Sequence, residues 1–374
     1  MSPRLIRLLI PGLVVQAVLV GGGYSTGREL VEFFLVSGPA TALLGMALTA
    51  VLFSVGSMVS FELARRSGAF DYRSFCRLYL GRAWVVFEWG YLLMLLLVLS
   101  VVSAAAGELL RDMTTLTPVA GSALFMAGVA FCVFFGSSFV ERLISIWSVV
   151  FYVTYGGMLA LVIAKFGSSL RTALEGSSLN GVEAIRDSVS YAGYNIAILP
   201  VLIFVARNLR SRNEAFVAGA LAGPLILLPG FAFLLALSAF FPKVNLAALP
   251  VSIVLGELGN SPLETVVRLV ILGAFAKTGI GLLHGLNERV AGSLADRNAT
   301  MRRGVRSGIA LGYMLVAVYL ASRFGIIDLI ARGYRFSSYF FLVVFVIPLL
   351  TRGLWLVLRQ PHPARTQCGE PANS

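Results

Sequence analysis

Gly21-Gly22-Gly23-Tyr24-Ser25-Thr26-Gly27-Arg28-Glu29 interrupts what is otherwise an apolar run. Upstream, residues 5–20 are almost wholly apolar, and residues 30–36 resume a helix-like apolar pattern. A glycine inside a helix costs roughly 1 kcal/mol relative to alanine, so three in succession argue for a break. In lipid, unwound backbone persists only where protein covers it or where it lines a wet cavity. The stretch therefore predicts a discontinuous membrane helix with a binding site at mid-membrane depth. Close helix packing through small residues explains single glycines well but accounts poorly for Gly21, Gly22 and Gly23 together.

The composition around this break is that of a polytopic, all-α membrane protein. Of 374 residues, 58% are hydrophobic and only 13% charged, about half the charged share of a soluble domain. Apolar runs of about 20 residues recur along the chain, each long enough to cross a bilayer core of about 30 Å. The net charge of +12 needs no nucleic acid, because cytoplasmic loops of membrane proteins are rich in Lys and Arg. No basic stretch carries interleaved aromatic residues, which sets nucleic-acid binding aside. Cys76, Cys132 and Cys368 are scattered without ligand spacing, so neither a disulfide framework nor a metal site is expected. No cofactor motif is present. The N-terminus, with Arg4 and Arg7 before an apolar run, resembles a signal peptide but lacks a small-x-small cleavage site; it is read as a retained half-helix.

Ten spans are expected. The first covers residues 5–36 with its break at Gly21 to Ser25, and the next four lie near residues 40–64, 84–110, 119–135 and 143–164. A polar connection over residues 166–187 separates this first half, residues 1–165, from a second half over residues 188–358. The second half holds spans near residues 188–206, 215–240, 263–286, 305–321 and 339–358, with a short re-entrant or surface segment at 246–257. Residues 359–374 read as a disordered, Pro-rich cytoplasmic tail. About nineteen of the Lys and Arg residues fall on the side of the N-terminus, which places both termini in the cytoplasm. The setting is the cytoplasmic membrane of a bacterium, with anionic lipid at the inner face. Five spans per half is odd, so the halves cross in opposite senses. They also share a signature: Gly22-Gly23-Tyr24-Ser25 in span one and Ala192-Gly193-Tyr194-Asn195 in span six. Interrupted helices at corresponding positions point to an inverted-repeat transporter and its midplane site.

This layout resembles the amino acid–polyamine–organocation (APC) superfamily and its LeuT fold, with helices 1 and 6 broken in a 5+5 inverted repeat. Residues 21–34, GGGYSTGRELVEFF, resemble the first-helix motif of the YkvI-type membrane proteins. The resemblance implies alternating access, with substrate held between the breaks of spans one and six and the faces of spans three and eight. It also implies a sodium site between spans one and eight, built with paired span-eight hydroxyls.

The candidate substrate site comprises Gly21, Gly22, Gly23, Tyr24, Ser25 and Thr26 from span one, with Tyr191, Gly193, Tyr194 and Asn195 from span six. A half-helix starting after Ser25 leaves the N–H groups of Thr26 to Arg28 free for a carboxylate. Freed carbonyls near residues 20–22 suit an ammonium or cation. Tyr24 and Tyr191 are equally well read as packing residues. The candidate coupling residues are Lys277, Thr278 and Glu29. Lys277 lies near the middle of span eight, where an ammonium is expensive and faces a cavity or a partner. Beside a single hydroxyl, Thr278, it departs from a paired-hydroxyl sodium site, which favours H+ over Na+ as coupling ion. Four roles stay open to it: replacing the ion, carrying a proton, binding a substrate carboxylate, or a structural lysine. Glu29 is expected to meet Lys277 or to line the outer vestibule. Arg28 and Glu32 are spaced to pair along one helix face. Glu62, Glu88 and Glu108 are expected at solvated span ends, and His284 with Glu288 as a surface pair. Asn298 to Thr300 matches a glycosylation acceptor on the cytoplasmic side.

The expected function is secondary active transport of a small solute, an amino acid or related zwitterion or carboxylate. No G-x-x-x-x-G-K-[ST] loop is present to couple ATP, and no acid or histidine cluster supports an enzyme. The alternatives are a non-transporting sensor or scaffold on the same fold, then an ion channel.

Overall fold

The computed structural model describes residues 2–135, 138–295 and 303–359. Residues 360–374, with His362 and Cys368, and the Asn298 to Thr300 acceptor lie outside the described residues, as does the side chain of Glu288. All regular structure among the described residues is helical.

The break divides the first apolar run into α1 (Pro3–Leu19), a single turn α2 (Gly22–Thr26) and α3 (Arg28–Phe33). Then follow α4 (Pro39–Ser67), α5 (Tyr72–Leu80), α6 (Trp84–Met113), α7 (Pro118–Phe135) and α8 (Ser138–Glu175). The second part of the chain holds α9 (Gly181–Asn195), α10 (Arg212–Ser238), α11 (Pro250–Leu258), α12 (Ser261–Ala295) and α13 (Arg303–Asp328). A π-helical turn, Leu329–Tyr334, leads to α14 (Arg335–Phe341), and two more π-helical turns precede α15 (Leu354–Arg359). Six described helical stretches are long and apolar enough to cross a membrane. One of them, Gly304–Arg359, counts 56 residues. At 1.5 Å per residue it would extend roughly 84 Å, nearly three bilayer cores. Gly325 breaks it, with φ 69° and ψ 173° inside α13; a side chain is strained there, and glycine is not.

Three boundaries differ from the sequence expectation. α8 runs on to Glu175 past a kink at Phe166, because beyond the apolar run an exposed Arg171–Glu175 pair at 2.7 Å bridges one helical turn. α9 begins at Gly181, capped by the Asn180 side chain, which accepts from Val182 and Glu183 N–H at 3.1 and 3.2 Å. The polar connection is thereby reduced to residues 176–180. The basic loop after α4 contains a helix, α5, which Asp71 caps by accepting from Ser74 N–H at 2.9 Å. Glu62 is also placed differently: its side chain is fully buried at the end of α4, paired with Arg65 at 2.7 Å and Arg66 at 3.8 Å. The pairing makes burial of a carboxylate tolerable.

α10 is the helix against which both α1 and α4 pack. Gly219 and Gly223, one turn apart on α10, meet the backbone of α4 so closely that a Cβ on either would collide with Met58 or Ala50. This is the small-residue approach by which membrane helices gain van der Waals contact. α10 also contains Pro224 and Pro229, each of which removes the N–H that would satisfy the carbonyl four residues earlier. Both freed carbonyls are taken by neighbours. Ser54 of α4 donates to Ala220 O at 2.8 Å, and the Gln16 amide of α1 donates to Leu225 O. Elsewhere α9 packs on α4 and α14, α6 on α7 and α13, and α12 on α6, α7 and α8. Large apolar side chains such as Trp89, Leu93, Val153 and Phe336 face outward, as lipid contact demands.

Candidate functional site

α1 stops because the chain turns at Val20 and Gly21. Gly21 N–H bonds Leu19 O at 2.8 Å instead of the carbonyl of Ala17, four residues back. Lys277 of α12 fills that place, its Nζ donating to Ala17 O at 3.1 Å. An ammonium at a helix C-terminus also lies at the negative end of the helix dipole. The next residue of α12, Thr278, packs directly on the break: a Cβ at Gly21 would lie 2.6 Å from its Oγ1. That hydroxyl donates to Ala274 O of its own helix at 3.0 Å.

α2 is a single turn closed by Gly27, whose φ of 81° only glycine adopts at low cost. Thr26 Oγ1 donates to Gly23 O at 2.7 Å and accepts from Arg28 N–H at 3.1 Å. Gly27 N–H bonds Tyr24 O at 3.1 Å. The N–H groups of Gly27 and Arg28, expected to be free for a carboxylate, are thus used within the chain, because a threonine at the end of a short turn caps the helix that follows. Tyr155 of α8 donates its hydroxyl to Ser25 O.

α3 turns its charges in two directions. Arg28 is buried and donates to Asn245 O at 2.7 Å and Ala247 O at 3.1 Å, and pairs with Glu32 at 2.7 Å as its spacing predicts. Glu29 faces α9, where its Oε2 accepts from Tyr194 OH at 3.1 Å. The expected meeting of Glu29 with Lys277 is not made: the lysine is drawn to the end of α1, while the carboxylate lies beyond the second break. Around Glu29 the rings of Phe33, Tyr191, Tyr194 and Tyr334 stack edge to face or tilted, with centroids 4.9 to 5.7 Å apart.

The span-six residues divide. Tyr191 and Tyr194 join the cluster around Glu29. Asn195, the last residue of α9, turns its amide back to Tyr191 O at 3.0 Å. Gly193 meets α14 and the π-helical turn after it, where a Cβ would lie 2.9 Å from Ser338 O and 2.8 Å from Leu342 Cγ. Beyond Asn195 the chain continues in short 3-10 turns over Ile196–Ile198 and Ile203–Asn208 rather than in α-helix. A separate cavity of about 420 Å³ lies between α1, α8 and α10, walled by Gln16, Tyr24, Tyr152, Tyr155, Pro229 and Phe233. Tyr24 is its one wall residue from the predicted set. Phe33, Tyr334, Gln16 and Tyr155 were not singled out by sequence; the freed carbonyl four residues before Pro229 was the readable sign that a donor such as Gln16 was needed.

At the other end of the bundle Arg7 of α1 pairs with Glu214 of α10 at 3.1 Å. Arg289 of α12 pairs with Glu88 of α6 at 3.1 Å and lies over the rings of Tyr72 and Tyr91 at 4.0 and 4.2 Å. Glu88 is therefore half-sheltered in a cation–aromatic cluster rather than solvated. Glu108 pairs with Arg111 at 2.7 Å, and His284 is exposed.

No family profile matches the chain. The chain is 25% identical over 336 residues to the uncharacterised membrane protein YkvI of Bacillus subtilis (strain 168), covering 87% of this chain and 90% of that protein. A structure of Mhp1 in an inward-facing conformation superposes with a TM-score of 0.51 at 15% identity, over 95% of this chain and 75% of Mhp1. A substrate-bound, outward-open Na+-coupled sialic acid symporter gives a TM-score of 0.48 at 12% identity, over 91% of this chain and 81% of that one. The chain is thus a multi-pass membrane protein homologous to YkvI, with the LeuT fold that it shares with Mhp1.

Proposed function

We propose that this protein is a secondary active transporter, not an enzyme, which moves a small solute by alternating access. Its substrate is an amino acid or a related zwitterion or carboxylate, held near the first-helix break (Gly21 to Thr26) and α9 (Tyr191 to Asn195). The observation that carries the reading is the end of α1, where the helix stops inside the bundle and Lys277 takes the freed Ala17 carbonyl. Discontinuous helices at membrane depth are the mark of solute and ion sites in such folds.

Ten crossings in a 5+5 inverted repeat account for the packing. The first half is α1–α3, α4, α6, α7 and α8. The second is α9 with its 3-10 turns, α10, α12, α13 to Gly325, and the remainder to α15. A twofold relation between halves pairs α1–α3 with α9, α4 with α10, α6 with α12 and α7 with α13. Under it, packing of α1 on α10 requires packing of α9 on α4, and packing of α6 on α13 requires α12 on α7. All four contacts are present. Both termini then face the cytoplasm, where the Arg-rich loops meet anionic lipid.

Sodium coupling is disfavoured by Lys277, a fixed cation beside the single Thr278 hydroxyl, and H+ is the coupling ion that fits. Thermal unfolding of the purified protein against a solute library, with and without sodium, tests the reading. A ligand that binds only the folded state raises stability by RT ln(1 + [L]/Kd). Stabilisation by a carboxylate solute, independent of sodium and lost in Lys277→Ala, is expected. Stabilisation by sodium alone would overturn the coupling assignment, and silence across the library would overturn the transporter.

A further inference from the structure

Glu29 is placed unlike the other buried carboxylates. Glu62 has Arg65 and Arg66, and Glu214 has Arg7. Glu29 is 7% exposed, yet among the described residues its one hydrogen-bond partner is the neutral hydroxyl of Tyr194. Arg28, its neighbour on α3, points instead to Asn245, Ala247 and Glu32. On its other side the carboxylate rests against Gly23, where a Cβ would overlap Oε1.

The titratable groups facing it are all tyrosines: Tyr24 from α2, Tyr191 and Tyr194 from α9, and Tyr334 from the π-helical turn. Two of these hydroxyls, on Tyr24 and Tyr191, are buried and have no hydrogen-bond partner among the described residues. An orphaned buried hydroxyl costs about 1–3 kcal/mol; that of Tyr24 lies against Gly230 on the wall of the α1–α8–α10 cavity, which leaves Tyr191 as the hydroxyl that a donor at Glu29 would satisfy. A buried carboxylate with no cation is equally incomplete. A single proton neutralises the carboxylate and gives Tyr191 a donor, since a carboxylic O–H donates where a carboxylate only accepts. It also needs no room, which matters for a group wedged between backbone and rings.

We propose that Glu29 carries the coupling proton, at the junction between the broken first helix and α9. The proposal rests on the transporter reading and names its ion site. Deprotonated, Glu29 holds Tyr194 by accepting its hydroxyl proton. On taking a proton from the aqueous side, the carboxyl donates it in a hydrogen bond to the Tyr191 oxygen and holds the Tyr194 hydroxyl less strongly. Protonation thereby shifts the hold of α3 on α9 from Tyr194 to Tyr191 and re-seats the two elements beside the proposed solute. Tyr194 is a positioning residue, acting through Glu29.

Infrared difference spectra of the full-length protein in liposomes, taken across a pH series, read this directly through the carboxylic-acid C=O stretch. The expected result is a titrating band in wild type and in Glu108→Gln that is lost in Glu29→Gln. In Tyr194→Phe its frequency and midpoint move, which a purely structural role would not cause. A band undiminished in Glu29→Gln, or no titrating band in wild type, overturns the proposal. A second arm imposes a pH gradient on proteoliposomes offered the same solute library. Accumulation in wild type, falling to simple equilibration in Glu29→Gln, supports it; equal accumulation in both overturns it. A band that behaves as expected with no solute moved leaves the proton site standing and removes the transporter reading instead.

Discussion

Lys277 holds a position that two chemistries would each explain, as the cap of a helix end and as a fixed cation at an ion site. The cap alone has a measurable cost. Hydrogen bonds to charged groups contribute about 1.5–3 kcal/mol, so Lys277→Met, which keeps most of the stem, should lower the stability of the protein in detergent by that order, read by thermal unfolding. Gln16 makes the cleaner comparison. Gln16→Leu leaves Leu225 O without its donor and should cost about 1–3 kcal/mol, the desolvation penalty of an unsatisfied buried group. If Gln16→Leu proves neutral, the carbonyl freed by Pro229 has another donor. Glu29 marks the limit of what residues reveal on their own. Its position next to a predicted break was readable, but its partner Tyr194 lies 165 residues away, and no local pattern encodes a contact made only by tertiary packing.

The first span shows which part of a discontinuous helix a sequence can declare. Three glycines announced the interruption, because their cost in a helix is local and additive. They did not announce that the chain would wind one more turn over Gly22–Thr26 and break again at Gly27. That second break depends on Thr26 capping α3 with its own hydroxyl and on a left-handed residue packed against Leu237 and Phe233. Gly27→Ala should therefore cost about 1–2 kcal/mol from backbone strain, plus a packing term, since its Cβ would lie 3.0 Å from Leu237 Cδ1. Gly68 has φ 70°, and the place its methyl would take has nothing within 4 Å, so Gly68→Ala should cost the strain alone. Unfolding measurements on the two variants separate the terms; equal losses would show that the fit around Gly27 is loose. Gly193 carries a second demand that its sequence context did not announce: α9 gives way to 3-10 turns after Asn195, and the glycine two residues earlier packs closely on Ser338 and Leu342.

For the molecule as a whole, charged contacts tie the bundle at two levels at once. Arg7–Glu214 and Arg289–Glu88 join α1 to α10 and α12 to α6, while Arg28 and Arg335 join α3 to residues 245–247 and to the last span through Glu32. Cys76 reports on one level: it is fully buried on α5, the helix whose Tyr72 ring lies under Arg289. Removing a charge-assisted contact of about 1.5 kcal/mol opens a local equilibrium roughly tenfold, so Arg289→Ala should speed maleimide labelling of Cys76 by about that factor. Arg171→Ala, which removes an exposed pair, should leave it unchanged. Labelling unaffected by Arg289→Ala would show that α5 stays seated without the cluster. The succession of membrane-length helices was legible because burial in lipid writes long apolar runs. The charged fastenings were not, because an arginine near a span end reads the same whether lipid, water or a carboxylate receives it.

The two prolines of α10 bear on how such a chain is made. Synthesis delivers α1 and α4 to the membrane before α10, so the oxygens of Ala220 and Leu225 emerge into lipid already lacking the amides an unbroken helix would offer. They stay unquenched until Ser54 and Gln16 reach them. Maturation of the later half is thus conditional on the earlier half being in place, and the earlier half acts as an internal chaperone for its successor. A chain severed between α8 and α9 should accordingly yield a protease-sensitive second fragment when that fragment is made alone. Made beside the first, it should be rescued, and the two should purify together.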